Sequence, residues 1–345
     1  MSVHVYTSFT YSYLNRARVL AETLKKFHPD WVLWAVITDL EPKGFQFDLV
    51  EEVFDRALLL EDLFPEDSSS WLFGMDIVEA CTAVKGKALR YILDQPNVSK
   101  VLYFDPDIAI FSSLEEISSV LDNASIALTP HQVDPEPRSA VGAILDNEVS
   151  SLQYGTYNLG FLAVRNDLEA RRFAEWWDDR LQDYCHDRLD IGIFVDQKWC
   201  NLIPCFFDNV KIIRDAGCNV ASWNLSQRQI VSKETGEIFV NDRPLKFYHF
   251  TKLGPVGDEM TKRYAGDNVL VYEIWWWYNQ RVKANTEHQI PHRYWAYERF
   301  GSGEKIPKGL REQYRSDKSL KAAFPEPFGE KFRDWARSRW KLSQE

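Results

Sequence analysis

The sequence predicts an α/β fold with a mostly parallel central sheet and a C-terminal helical extension. Three observations predict it. Residues 3–8, 14–27 and 31–37 read as strand, helix and strand, the unit whose two strands lie parallel. The run Val101-Leu-Tyr-Phe-Asp-Pro-Asp-Ile-Ala-Ile110 is dense in β-formers and delivers two carboxylates at a strand end. After about residue 298 the composition turns from acidic to basic.

Each element follows from local pattern. Val3–Ser8 is rich in β-formers, and a polar, aromatic loop follows over 9–13. Ala17, Leu20, Ala21 and Leu24 keep helical spacing, and Pro29 stops that helix. Residues 47–60 hold a further strand and connection, and the acidic, Ser-rich stretch 61–70 reads as a loop. A long helix over 75–93 carries Glu79, Lys85 and Lys87. Strands are expected at 100–104, 125–129 and 157–164, with a helix at 114–121 and a Pro-rich loop at 131–138. A strong helix over 167–184 precedes a helical piece at 194–202. Short strands at 210–213 and 246–250 close the body, and an aromatic helix at 268–283 follows. The boundaries expected are 1–255 for the body and 256–345 for the extension.

Bulk properties narrow the function. The formal net charge of −10 argues against a general nucleic-acid binder, which needs a basic footprint. Residues 303–345 hold 11 Lys/Arg against 7 Asp/Glu, so the tail is basic and the body strongly acidic. The 13 Trp fit a Trp-rich core or sugar-handling aromatic faces. Cys81, Cys185, Cys200, Cys205 and Cys218 are odd in number and lack zinc-like spacing, which suits free thiols in a reducing compartment. No basic-then-apolar leader is legible, and no apolar run approaches the roughly 18 residues that span a bilayer. The expectation is a cytoplasmic protein. A helix over 325–345 with Phe328, Phe332 and Trp335 among basic residues adds a peripheral contact at the inner face of an anionic membrane. The plainer reading is a packing helix with a solvated basic face.

Five motifs carry chemistry. Asp105 and Asp107, two apart on a strand, point the same way and suit a hard divalent ion shared with a diphosphate. Ligands of open parallel sheets sit beyond such strand ends. The alternative is two solvated acids in a turn. In Tyr157-Asn158-Leu-Gly160, the glycine marks a close backbone approach and Asn158 is suited to sugar hydroxyls; a β-bulge is the alternative. Asp196-Gln197 offers a base or a hydroxyl partner, or simply a helix cap. In Tyr248-His249-Phe250, His249 is a ligand type for Mn²⁺, and Lys252 follows it. Lys85 lies on the helix before the Asp strand, within reach of a phosphate or ribose, or else solvated.

The order L-Y-F-D-P-D, Y-N-L-G-F, D-Q-K-W-C-N and Y-H-F-T-K resembles the GT-A fold glycosyltransferases, closest to the retaining family 8 type of bacterial surface-polysaccharide gene clusters. The resemblance covers roughly residues 1–255. It implies a Rossmann-like GT-A fold and a nucleotide-diphosphate sugar donor, with UDP favoured. It also implies a glycan or lipid-linked acceptor and Mn²⁺ or Mg²⁺ as cofactor. Asp105, Asp107 and His249 then match the metal ligands, and Lys85 a basic donor-binding position. Thr7, Ser8, Tyr11 and Tyr13 fall where the first loop holds base and ribose. Asn158 and Gly160 match the segment touching the transferred sugar. Asp196 and Gln197 match the pair beside the anomeric carbon. The family's H-x-x-G-x-x-K-P-W is not intact here, since His249-Phe-Thr-Lys-Leu-Gly-Pro255 stands in its place, which weakens the match of Lys252 to the phosphate-contacting lysine. Retention is the implied outcome; inversion would need a carboxylate base, for which Asp196 is the candidate. The competing readings are a nucleotidyltransferase of the same fold and a non-catalytic nucleotide-sugar binding module. The former normally carries a Gly-rich basic loop where Thr7-Ser-Phe-Thr-Tyr11 stands.

Overall fold

The computed structural model describes residues 2–64 and 68–343. Its centre is a seven-stranded sheet built from β1 (Ser2–Phe9), β2 (Val32–Ile37), β3 (Arg56–Leu59), β4 (Val98–Phe104), β6 (Ile126–Pro130), β7 (Tyr157–Arg165) and β8 (Val210–Ile212). A short strand, β5 (Ile108–Ile110), lies apart from it and pairs with β9 (Phe247–His249). The order across the sheet is β8-β6-β7-β4-β1-β2-β3. All neighbours run parallel except β7, which lies antiparallel to both β4 and β6. The sheet is therefore mostly parallel, as expected. The reversal of β7 starts that strand at the edge where β4 ends, so Tyr157–Gly160 lie beside the Asp pair.

Helices cover both faces. On β1, side chains alternate: Tyr6 joins one core, and Val5 and Phe9 join the other. The second core includes α1 (Leu14–Phe27), and the first is closed by α2 (Ile77–Leu93) and α4 (Leu168–Tyr184), with α3 (Glu115–Val120) between them in sequence. The start of α2 is fixed by Asp76, whose side chain accepts from the N–H groups of Val78 and Glu79. Gly86 lets α2 meet α4 at backbone distance, since a Cβ there would lie 2.7 Å from the Asp178 Cα.

Behind the body come α5 (Pro255–Ala265) and α6 (Val269–Ala284). Ile274, Trp275 and Tyr278 of α6 share a core with Val19, Tyr248 and Phe250. The rings of Phe250 and Tyr278 stack at 3.8 Å. The tail forms α7 (Lys308–Ser316), α8 (Lys318–Ala323) and α9 (Glu330–Arg337) around Phe73, Leu310, Tyr314 and Phe332. Arg315 pairs with Glu79 at 3.1 Å, which docks the tail on the first turn of α2.

Four expectations change. The 61–70 stretch is not simply a loop, because Leu60–Leu63 and Ser69–Phe73 are helical; its residues 65–67 lie outside the described residues. The 194–202 piece is not a continuous helix. Ile193–Phe194 pair as a strand with Asp187–Arg188, and a 3₁₀ turn spans Lys198–Leu202. The tail helix is only Glu330–Arg337, and residues 344–345 of the expected range lie outside the described residues. Its aromatic stripe faces inward: Phe332 is fully buried, with Phe328 and Trp335 packed partly buried against the same core. The apolar face that a membrane contact would insert is thus used for packing, as the plainer reading held. All five cysteines are free. Among the described residues no helix is long and apolar enough to cross a membrane.

Candidate active site

The site is assembled by the two-stranded ribbon. The turn after β4 carries Asp105-Pro106-Asp107, and the Ile108 N–H donates to the Asp105 carbonyl at 3.1 Å. The chain re-enters β5, where Ile108 sits opposite His249 in the antiparallel register. The Phe250 N–H donates to the Asp107 carbonyl at 2.8 Å. His249 is thereby pinned beside the acids: its Nε2 is 3.1 Å from Asp107 Oδ1 and 3.8 Å from Asp105 Oδ2. One ligand atom from each residue lies within 4.8 Å of the others. An imidazole nitrogen with two carboxylates is a donor set that fits a divalent ion, and the nitrogen favours Mn²⁺ over Mg²⁺. Burial alone would raise Asp107, but His249 outweighs it and holds that carboxyl below its ordinary value. Burial alone would lower His249, yet Asp107 and Asp105 outweigh it and raise the imidazole above its ordinary value.

Lys85 reaches the acids from α2. It is 2% exposed. Its Nζ lies 3.1 Å from Asp105 Oδ1 and 2.8 Å from Asp196 Oδ2, and donates to the Leu159 carbonyl at 3.2 Å. The Tyr103 ring lies under it at 4.3 Å. The ammonium thus has two hydrogen-bond acceptors, Asp105 and the Leu159 carbonyl, and an ion-pair partner in Asp196. Burial opposes the charge, but Asp105 and Asp196 outweigh it and push Lys85 well above the ordinary lysine range. Burial raises the Asp196 carboxyl, with Lys85 opposing. Asp105 Oδ1 also accepts the Tyr103 hydroxyl at 2.6 Å.

A cleft of about 290 Å³ opens over this cluster, lined by Ser8, Tyr13, Cys81, Lys85, Asp105 and Asp107 among others. A larger groove of about 740 Å³ between α1, Thr235–Ile238 and α6 holds none of the residues singled out by sequence.

The structure sorts the expected residues. Asp105, Asp107, His249 and Lys85 come together. Ser8 and Tyr13 line the cleft; Ser8 Oγ donates to the Cys81 carbonyl at 2.8 Å. Thr7 does not line the cleft, because strand alternation turns it to the opposite face of the sheet, where its hydroxyl is buried without a hydrogen-bond partner. Tyr11 is buried against Phe45 and Phe47 rather than offered to a base. Lys252 is exposed in a left-handed backbone conformation (φ 54°) and does not line the cleft. Asp196 and Gln197 stand one layer behind it: Asp196 is no helix cap but the partner of Lys85, and Gln197 Oε1 accepts the Leu159 N–H at 3.1 Å. Asn158 faces His249 rather than the cleft, with its Oδ1 3.2 Å from Nδ1. Gly160 does mark a close approach, but of the His249 ring: a Cβ there would lie 2.6 Å from Nδ1.

Sequence reasoning missed four neighbours. Tyr103 was findable, being two residues before Asp105 on one strand face. His131, Asn219 and Trp223 were not, since they arrive from separate loops. Trp223 sets its ring edge-on to both His249 and His131, at 5.2 and 5.4 Å.

No family model matches the chain. It is 26% identical over 179 residues to the uncharacterized protein YfnF of Bacillus subtilis (strain 168), covering 51% of this chain and 57% of that one. It is 25% identical over 176 residues to YfnD of the same organism, covering 50% and 53%. The chain spans about half the length of the curated relatives it matches. Among solved structures it is similar to the galactosyltransferase LgtC in complex with donor and acceptor sugar analogues, with 14% identity over 84% of this chain and 98% of that chain and a TM-score of 0.46. It is also similar to the glycosyltransferase GlyE of Streptococcus pneumoniae TIGR4, with 17% identity over 82% and 62% and a TM-score of 0.45.

Proposed function

We propose that this protein is a GT-A type glycosyltransferase that moves a sugar from a nucleotide-diphosphate donor, UDP-sugar favoured, to a glycan or lipid-linked acceptor in surface-polysaccharide biosynthesis. The observation that carries the reading is the convergence of Asp105 and Asp107, which line the cleft just after β4, with His249 at the end of β9. These three residues would hold Mn²⁺ or Mg²⁺. When bound, the ion supplies charge neutralisation for the leaving diphosphate. The protein's own groups orient it: Lys85 and Tyr103 hold Asp105, and the β5–β9 ribbon holds His249 against Asp107. Ser8 and Tyr13 line the cleft where the nucleoside would rest. Residues 1–255 carry this chemistry in the proposal, and 256–345 brace it through Arg315 and the α6 core.

Retention is the proposed stereochemical outcome. Among the described residues, the carboxylates lining the cleft are the two metal-ligand candidates, while Asp196 is tied to Lys85. Asp196 and Gln197 enter this reading as positioning groups for Lys85 and the Leu159 amide. The protein works in the cytoplasm in this reading, and any contact with the inner membrane face is electrostatic, made by the basic rim of the tail.

The test is a screen of nucleotide sugars for slow hydrolysis with Mn²⁺ present. UDP-sugar hydrolysis is expected and should fall at least about a hundredfold in Asp107→Ala, since loss of mere outer partners of a ligand already costs 10–100-fold. Hydrolysis that survives both this substitution and chelation would defeat the proposal.

A further inference from the structure

The hydrogen-bond chain behind the three ligand candidates has a direction, and two backbone amides set it. The Gly160 N–H, which can only donate, lies 3.1 Å from one side-chain atom of Asn158. That atom must be the amide oxygen, which settles the orientation of the group. Asn219 Nδ2 donates to the same oxygen at 3.0 Å. His249 Nδ1 faces it at 3.2 Å, so Nδ1 carries hydrogen. On the other side, the Leu159 N–H donates to Gln197 Oε1, which fixes that amide as well. Asn158 Nδ2 therefore meets two acceptors, Gln197 Oε1 at 3.3 Å and His131 Nε2 at 3.2 Å. His131 Nδ1 is turned to the Thr156 carbonyl at 3.4 Å, which leaves its Nε2 bare for Asn158.

The chain is held on every side. Asn219 is fully buried in a left-handed backbone conformation (φ 54°), and its Nδ2 also reaches Thr129 Oγ1 at 3.0 Å. The absent Cβ of Gly160 leaves the space in which the His249 ring lies against the Asn158 oxygen. The groups around the His249 ring are thus Asn158 on Nδ1, Asp105 and Asp107 on Nε2, and Trp223 edge-on.

We infer that Asn158, backed by Asn219, is a positioning residue that keeps hydrogen on His249 Nδ1 and so commits Nε2 alone to a cation. Which imidazole nitrogen binds a metal is set by the hydrogen bond the other one makes, and such outer partners tune affinity. The role assigned to Asn158 is thus toward the histidine, not toward a sugar hydroxyl. The inference rests on the proposed metal site only in its last step, from a bare Nε2 to a bound ion.

The experiment separates the two steps. Long-range ¹H–¹⁵N correlation spectra of the histidine rings, recorded on metal-free protein at the alkaline end of the His249 titration, should show the Nδ1–H tautomer for His249. Asn158→Leu should shift it toward Nε2–H and raise the Mn²⁺ dissociation constant, read by electron paramagnetic resonance, by about 10–100-fold. Asn158→Asp keeps an acceptor on Nδ1 and should retain the wild-type tautomer. A wild-type spectrum showing Nε2–H overturns the inference whether or not the variants fold. So does a folded Asn158→Leu protein with unchanged tautomer and unchanged Mn²⁺ affinity. The expected tautomer together with no Mn²⁺ binding by wild type upholds the role of Asn158 toward the ring and brings down the cation site and the proposed function with it.

Discussion

The two halves of the site are built from the same residue types and treat charge in opposite ways. In the buried half, Lys85 and Asp196 neutralise one another in near-complete burial, and Gln197 and Asn158 spend their hydrogen bonds on neighbours. On the cleft floor, Asp105 and Asp107 share a single histidine and part of one lysine, and they stay accessible. The protein completes the first half by itself. The second half keeps an excess of negative charge that an ion from outside would complete. The buried half is a frame, and the open half is the instrument.

The largest effect is expected at Lys85. Lys85→Met leaves Asp105 and Asp196 without their shared cation and should lower stability by about 3–5 kcal/mol, measured by urea unfolding. Asp196→Asn in that background should recover part of the loss. A Lys85→Met protein of wild-type stability would mean that the frame is not a frame. Gly160→Ala is the next effect. The new methyl group meets the His249 ring and should cost about 1–3 kcal/mol, read as a lowered Tm, with weaker Mn²⁺ binding beside it.

The smallest effect sharpens the contrast between two histidines on one amide. Burial lowers His131 to about 4, while the acids raise His249. A histidine with a lowered folded value binds fewer protons folded than unfolded, so its contribution is present above pH 6.5 and is lost as pH falls toward 4. At pH 5, His131→Gln should therefore lose about 1–2 kcal/mol less stability, relative to pH 7, than wild type does. Equal losses would show that His131 is protonated in the folded protein.

Much of the frame was legible in sequence for a simple reason. The Val101–Phe104 run and the spacing of Ala17, Leu20 and Leu24 are local signals, and local chemistry decides them. The Asp pair and His249 were legible as types in order. What stayed hidden depends on the orientation of β7. Nothing in Tyr157–Val164 says that the strand runs antiparallel, yet that reversal puts the Gly160 amide on Asn158 and the Leu159 amide on Gln197. Asn219 and His131 sit in loops whose partners are far along the chain, so no periodicity marks them. The tail failed differently: the stripe of Phe328, Phe332 and Trp335 was visible, but not whether protein or lipid covers it.

The ribbon of β5 and β9 also imposes an order on synthesis. Asp105 and Asp107 leave the ribosome long before His249 does, and the strand that pins the histidine cannot pair until its own residues emerge. A contact so distant in sequence carries a large closure cost and forms late. A nascent chain stalled before residue 245 has its acids but no ribbon, so the proposed cation site cannot be completed until His249 has emerged.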